Sequence, residues 1–184
     1  MSKLNLYLGC ALPPFHAQHV DIMGGNVDVW TLVDKYVDAP NVKKWDARFL
    51  KEVEDGSVCR IYASHLLEHF SHREVPAILK RWYKKLIPGG EMILNVPDMA
   101  WAAKQILKFD KGEKLEGYYS EWEGEHGLQG VIYGSHEHKG EIHKSGFTRN
   151  SLGKLLIDAG FEKAIVEKKF EAHEMGCLLV KAIK

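Results

Sequence analysis

Along the 184-residue chain the hydrophobic positions change period several times, and the changes outline its elements. The apolar run from Leu4 to Leu8 predicts a first strand, and His19 to Ile22 a short second one. The window from Val27 to Val37 favours helix over strand, and Val42 to Trp45 reads as a short strand ending at Asp46. Asp55-Gly56 is a turn signal that leads into a strand over Val58 to Ala63. Next comes the clearest helix. Ser71-His72-Arg73-Glu74 fits a capping box, and Val75, Ile78, Leu79, Trp82, Tyr83 and Leu86 recur at three- and four-residue steps, forming one apolar face. Pro88-Gly89-Gly90 ends that helix, and Glu91 to Val96 follows as a strand closed by Pro97-Asp98. Strand, capped helix, glycine stop and strand in this order make a βαβ unit and predict a parallel sheet.

Beyond this unit the pattern weakens and then returns. Met99 to Phe109 is helical in period, but the chain on to Ser145 is rich in Gly, Glu, His and aromatics, as expected of an insertion over a site or of a long surface loop. Thr148 then caps a helix with the face Leu152, Leu155, Leu156 and Ala159, and Gly160 stops it. Strands near Ala164 to Val166 and Leu178 to Ala182 follow, close enough in sequence to pair antiparallel.

Composition narrows the class. One domain over 1–184 is the expectation at this length. No window approaches the roughly 20 apolar residues of a membrane span, and no secretory leader pattern stands at the start, so the chain is expected to be cytoplasmic. Lys+Arg and Asp+Glu balance at 25 each, giving no global field that would recruit nucleic acid or anionic lipid. Cys10, Cys59 and Cys177 are far apart in apolar runs, which suits buried thiols better than disulfides or a zinc site.

In a doubly wound sheet, ligands bind outside the carboxyl ends of the strands where strand order reverses, so the residues at those ends carry the functional information. Gly9 and Cys10 follow the first strand, Asp21 ends the second, Asp46 the third, Ser64 and His65 the fourth, and Pro97 and Asp98 the fifth. Each alone is more readily explained as a turn or cap residue; the ordered set is less easily explained that way. The stretches LNLYLGC (Leu4 to Cys10), VDI (Val20 to Ile22), IYASHLLEHF (Ile61 to Phe70), RWYKKLIPGGEMILNVPD (Arg81 to Asp98) and GFTRNSLGKLLIDAGFEKAIVEK (Gly146 to Lys168) span most of the chain. In this order they resemble the small class I S-adenosylmethionine-dependent methyltransferases of the type 11 kind.

The resemblance implies an α/β, Rossmann-like fold: a seven-stranded, mostly parallel sheet with an antiparallel last strand, carrying residues 99–145 as a lid over the substrate. It also implies S-adenosylmethionine as cofactor and methyl transfer to a small-molecule acceptor. Gly9 and Cys10 would let the backbone approach the amino-acid tail, and Asp21, with Ile22, would take the ribose hydroxyls. Asp46 and Ala47 would hold the adenine edge, and Ser64 and His65 would lie beneath the tail and methyl group. The chain departs from the family at Ala11, where a second glycine is usual, and in the dozen or so residues between Gly9 and Asp21, which leave little room for a first helix. Leu12-Pro13-Pro14-Phe15 is therefore read as a compact binding loop of unusual build. A non-catalytic module that binds cofactor or a partner through 99–145 is the alternative. A nicotinamide-dependent oxidoreductase is disfavoured, because the Gly-x-Gly-x-x-Gly that cradles a pyrophosphate is absent.

Methyl transfer is an in-line displacement that depends mainly on positioning and needs a base only if the acceptor must lose its proton early. His65 is the first candidate catalytic residue, ahead of His69, His136, His138 and His143, while Glu68 and His69 are expected to brace the approach to the helix. His126, His136, His138 and His143, with Glu125, Glu137 and Glu141, lack the His-Glu-x-x-His spacing, so no metal is expected. Trp101, Tyr118, Tyr119, Trp122 and Tyr133 are candidates for a substrate pocket or for anchors of the lid. Nothing basic or aromatic is arranged as a nucleic-acid platform.

Overall fold

Alternation of buried positions along the strands shows how the sheet is covered on both faces. In the computed structural model, which describes residues 4–11, 21, 26–115, 125–137, 140–169 and 176–184, seven strands form one sheet. They are β1 (Leu4–Leu8), β2 (Thr31–Val33), β3 (Val42–Lys43), β4 (Val58–Ser64), β5 (Leu86–Pro97), β6 (Lys163–Lys169) and β7 (Cys177–Ile183). Their order is β3-β2-β1-β4-β5-β7-β6. β7 runs antiparallel to both β5 and β6, and the other neighbours are parallel.

Strand residues alternate between two cores, as the period of two requires. Ile61, Ala63, Met92, Leu94, Leu178 and Val180 face one side, where they meet α1 (Val75–Lys85) and α4 (Arg149–Ala159) through Ile78, Leu79, Trp82, Leu152 and Leu156. Tyr7, Trp30, Leu32, Tyr62, Ile93 and Leu179 face the other. Between α1 and α4 lie α2 (Met99–Asp110) and α3 (Glu125–Tyr133), which share a smaller core of Trp101, Ala102, Leu115, Leu128 and Val131. Asp98 starts α2 by accepting a hydrogen bond from Ala100 N at 2.9 Å, and Thr148 starts α4 in a reciprocal capping box with Ser151. Among the described residues no helix is long and apolar enough to cross a membrane. The three cysteines are free.

Five sequence expectations change, one of them the helix stop: α1 ends at Lys85, and Pro88-Gly89-Gly90 lie inside β5. The window 27–37 is not a helix: a short 3-10 turn at Val27–Val29 leads straight into β2. Asp21 is helical and exposed, so it does not end a strand; the rest of His19 to Ile22, Ile22 included, lies outside the described residues. The second strand is Thr31–Val33, and the acid at its carboxyl end is Asp34. β3 stops at Lys43, leaving Asp46 in the turn beyond it. The capping box at Ser71 is half made. Ser71 N donates to Glu74 Oε2 at 3.3 Å, but the helix begins only at Val75, with Pro76 in its first turn.

Candidate functional site

The chain runs outward from β1 through β2 to β3 and returns to β4 on the other side of β1, so strand order reverses between β1 and β4. The register lines up the carboxyl ends at that point. Leu8 pairs with Val33 and with Ala63, and Ser64 with Asn95. These ends open into one cavity of about 1310 Å³, larger than the span usual for a single small ligand. Gly9, Cys10, Asp46, Ala47, Ser64 and His65 all line it, and so does Asp34. Asp21 is not among the described residues that line it.

The loop after β1 is held tightly. Gly9 has φ of 65° and its N–H donates to Val33 O at 2.8 Å. A Cβ there would stand 2.9 Å from the Leu66 side chain, so glycine is required twice, by conformation and by space. Ala11 also stands in the left-handed region, with φ of 52°. Its N–H donates to Asp34 Oδ2 at 3.2 Å, while Asp34 Oδ1 accepts from Tyr36 N at 2.8 Å and Val37 N at 3.2 Å. Each carboxylate oxygen has more than one lone pair, so Asp34 is fixed in place and Oδ2 can still accept from a ligand hydroxyl. The Cys10 thiol is buried, and burial, reinforced by Asp34, pushes its pKa up to about 12, which leaves it unreactive. Leu12 to Phe15 lie outside the described residues.

After β3 the turn is set by ion pairs. Arg48 Nη2 meets Asp46 Oδ2 at 2.6 Å and Lys35 Nζ meets the same oxygen at 3.1 Å. The Arg48 hydrogen bond holds the Asp46 carboxyl well below the usual carboxylate range. Ala47 is pinned from behind, since its carbonyl accepts the buried Trp82 indole N–H at 2.7 Å. α1 thus fixes the turn that carries Asp46.

After β4 the backbone at His65 turns into the left-handed region, with φ of 48°, and its N–H donates to Asn95 O at 2.9 Å. This turn brings the His65 ring, 46% exposed, into the cavity wall. Burial works against its charge, but the Cys177 thiol, 3.8 Å from Nε2, and the Glu68 carboxylate, 3.2 Å from Nδ1, outweigh it and hold the pKa well above the ordinary histidine value. Glu68 is only 1% exposed, yet the neighbouring His65 and His69 hold its carboxyl below its ordinary pKa. It stands in a single turn, Leu67–His69, before α1.

The segment 140–145 closes on that turn. Lys144 N and Ser145 N both donate to Glu68 O, at 2.8 and 3.1 Å, which brings His143 against His69 with ring centroids 4.9 Å apart. His65, His69 and His143 line the cavity, whereas His136 is exposed outside it and His138 lies beyond the described residues. Of the candidate pocket aromatics, Trp101 is buried in the core between α2 and α3 and Tyr133 is 53% exposed; neither lines the cavity. Tyr118, Tyr119 and Trp122 lie outside the described residues. The wall includes four aromatics that sequence reasoning did not propose for a pocket, Tyr7, Tyr36, Trp45 and Phe70.

No protein-family model and no curated protein matches the chain by sequence. Solved structures do match it over nearly its whole length. It is similar to an S-adenosylmethionine-dependent methyltransferase from Archaeoglobus fulgidus at 15% identity, covering 99% of this chain and 86% of that one with a TM-score of 0.61. An S-adenosylmethionine-dependent methyltransferase from Mesorhizobium loti gives 17% identity, 99% and 91% coverage and a TM-score of 0.59. The Burkholderia thailandensis 1,6-didemethyltoxoflavin-N1-methyltransferase, solved with 1,6-didemethyltoxoflavin and S-adenosylhomocysteine, gives 16% identity, 98% and 70% coverage and a TM-score of 0.60. The strand order, the antiparallel β7 and these likenesses show that the chain has the Rossmann-like fold of the class I S-adenosylmethionine-dependent methyltransferases.

Proposed function

We propose that this chain binds S-adenosylmethionine in the cavity at the carboxyl edge of the sheet and transfers its methyl group to a small-molecule acceptor held beneath residues 99–145. The observation that carries the reading is the convergence of Gly9, Asp34 and His65, from the ends of β1, β2 and β4, on one cavity at the reversal of strand order. The cofactor, when bound, supplies an electrophilic methyl on a sulfonium. Gly9 gives backbone access to the amino-acid tail, and Asp34 takes the ribose hydroxyls, the role the sequence alone had suggested for Asp21. The Asp46 and Ala47 turn forms the adenine end. His65 faces the acceptor as an imidazolium held by Glu68, where its charge orients the acceptor; it takes a proton from the acceptor only above its raised pKa.

Calorimetric titration with S-adenosylmethionine and S-adenosylhomocysteine, with NADH as control, tests the assignment. Asp34→Ala is expected to lose on the order of 1.5–3 kcal/mol of adenosyl-ligand affinity, the worth of charge-assisted hydrogen bonds, while Asp21→Ala binds as the parent does. Equal affinity in the parent and in Asp34→Ala would overturn the ribose assignment, and no binding to either adenosyl ligand would overturn the function.

A further inference from the structure

The Glu68 carboxylate, buried next to the cavity-lining His65 and His69, is an anomaly. It is 1% exposed, and neither oxygen has a hydrogen-bond partner. His65 Nδ1 approaches Oε1 at 3.2 Å, a contact of charge with no directed hydrogen bond, and Oε2 likewise has no hydrogen-bond partner. A buried carboxylate oxygen without donors calls for a cation.

Two histidines beside it are arranged to help hold one. His69 Nδ1 lies 3.3 Å from Ile142 O and His143 Nδ1 lies 3.0 Å from Val131 O. A carbonyl only accepts, so each Nδ1 carries a proton, and the nitrogen left to bind an ion is Nε2. A backbone carbonyl on the far ring nitrogen is the usual support of a metal-ligating histidine. One ligand atom from each of Glu68, His69 and His143 falls within 4.8 Å of the other two. Bonds of about 2.0–2.1 Å in a tetrahedral site bring ligand atoms to roughly 3.4 Å apart, so small side-chain adjustments close the set. The backbone bonds from Lys144 and Ser145 to Glu68 O hold the two contributing segments together.

We propose that Glu68, His69 and His143 bind a divalent transition-metal ion, Zn²⁺ or a neighbour in its series, where His69 and His143 line the cavity. Two imidazoles with one carboxylate suit such an ion better than Mg²⁺ or Ca²⁺, which prefer oxygen. His69 and His143 both line the cavity, so the fourth position is open to it, as in sites where a metal binds a substrate heteroatom. The carboxylate then serves two partners, His65 at Oε1 and the ion at Oε2.

The full chain, stripped with EDTA and free of adenosyl ligand, would be titrated with Zn²⁺ by calorimetry and with Co²⁺ by visible absorption. One ion per chain is expected, with Co²⁺ giving the intense bands of a low-coordinate site. His143→Ala and Glu68→Gln should each weaken Zn²⁺ at least 100-fold, whereas His136→Ala, an exposed histidine of the same segment, should not. Circular dichroism on each variant separates loss of ligand from loss of fold, and His143→Ala serves if Glu68→Gln does not fold. The absence of stoichiometric binding in the parent, or undiminished binding in folded His143→Ala, would overturn the proposal. Because no adenosyl ligand is present, that result is independent of whether S-adenosylmethionine binds.

Discussion

Asp46 shows how much one side chain at the site owes to its neighbours. Arg48 and Lys35 both hold its carboxylate, which is 24% exposed, and its pKa in the folded chain is depressed. A depressed carboxyl pKa means stability that is present above the unfolded value of about 3.9 and lost as pH falls from there through the folded value. Asp46→Asn should therefore cost about 1 kcal/mol near neutrality, the scale of a partly exposed ion pair. The difference from the parent should vanish in strong acid. Thermal melts from pH 7 down to pH 3 check this, and a constant difference across the range would contradict it. At this scale the sequence was legible where a residue type was forced. Gly9 is such a position, and so are the polar residues 64 and 65 after a long strand. It misled at Asp21, because Val20-Asp21-Ile22 and Val33-Asp34-Lys35 offer the same acid after the same kind of residue, and only pairing with β1 distinguishes them. Glu68, His69 and His143 gave no signal as a set, since 74 residues separate the second from the third and the fold alone unites them.

Among elements, α4 is the most completely specified by local chemistry. Its capping box begins it, and Gly160 ends it with φ of 115°, its N–H reaching back to Ile157 O at 3.0 Å. A Cβ at Gly160 would stand 3.1 Å from the Tyr83 ring, so Gly160→Ala adds crowding to a conformation alanine avoids. A loss of roughly 1–2 kcal/mol is expected by urea denaturation; an unchanged midpoint would show that Tyr83 and the backbone relax freely. α1 was legible in its long amphipathic face, but its end was not: Leu86 and Pro88-Gly89-Gly90, expected as its last turn and its stop, are the first part of β5. β2 and β3 were not legible. Strands of three and two residues are too short to show a period, and Val29, Trp30, Val33 and Val37 recur at the three- and four-residue steps of a helix face.

At the scale of the molecule the sheet is graded from its centre outward. β4 sits between β1 and β5, and Ile61, Tyr62 and Ala63 are all essentially buried, whereas β3 is a two-residue edge. Native-state hydrogen exchange should find the amides of β4 among the slowest and those of Val42 and Lys43 among the fastest; comparable rates would show that the sheet opens as one unit. The cavity borders both regimes, with His65 following the rigid strand and Asp46 following the weak edge. The parallel half of this architecture followed from the βαβ pattern, and the late antiparallel pair from the short connection before β7. The position of β7 inside the sheet came only through the family resemblance.

That position bears on the order in which the protein can be completed during synthesis. β7 lies between β5 and β6, pairing with β5 from Glu91↔Ile183 to Pro97↔Cys177. While the ribosome is still translating the stretch after Lys169, β5 already exists, with one whole side of its backbone unpaired and with Met92, Leu94 and Val96 lacking their later neighbours. A strand buried from Met92 to Pro97 in the finished sheet is thus the one left open longest, and a nascent chain stalled there would be a substrate for chaperones or for aggregation at an open strand edge.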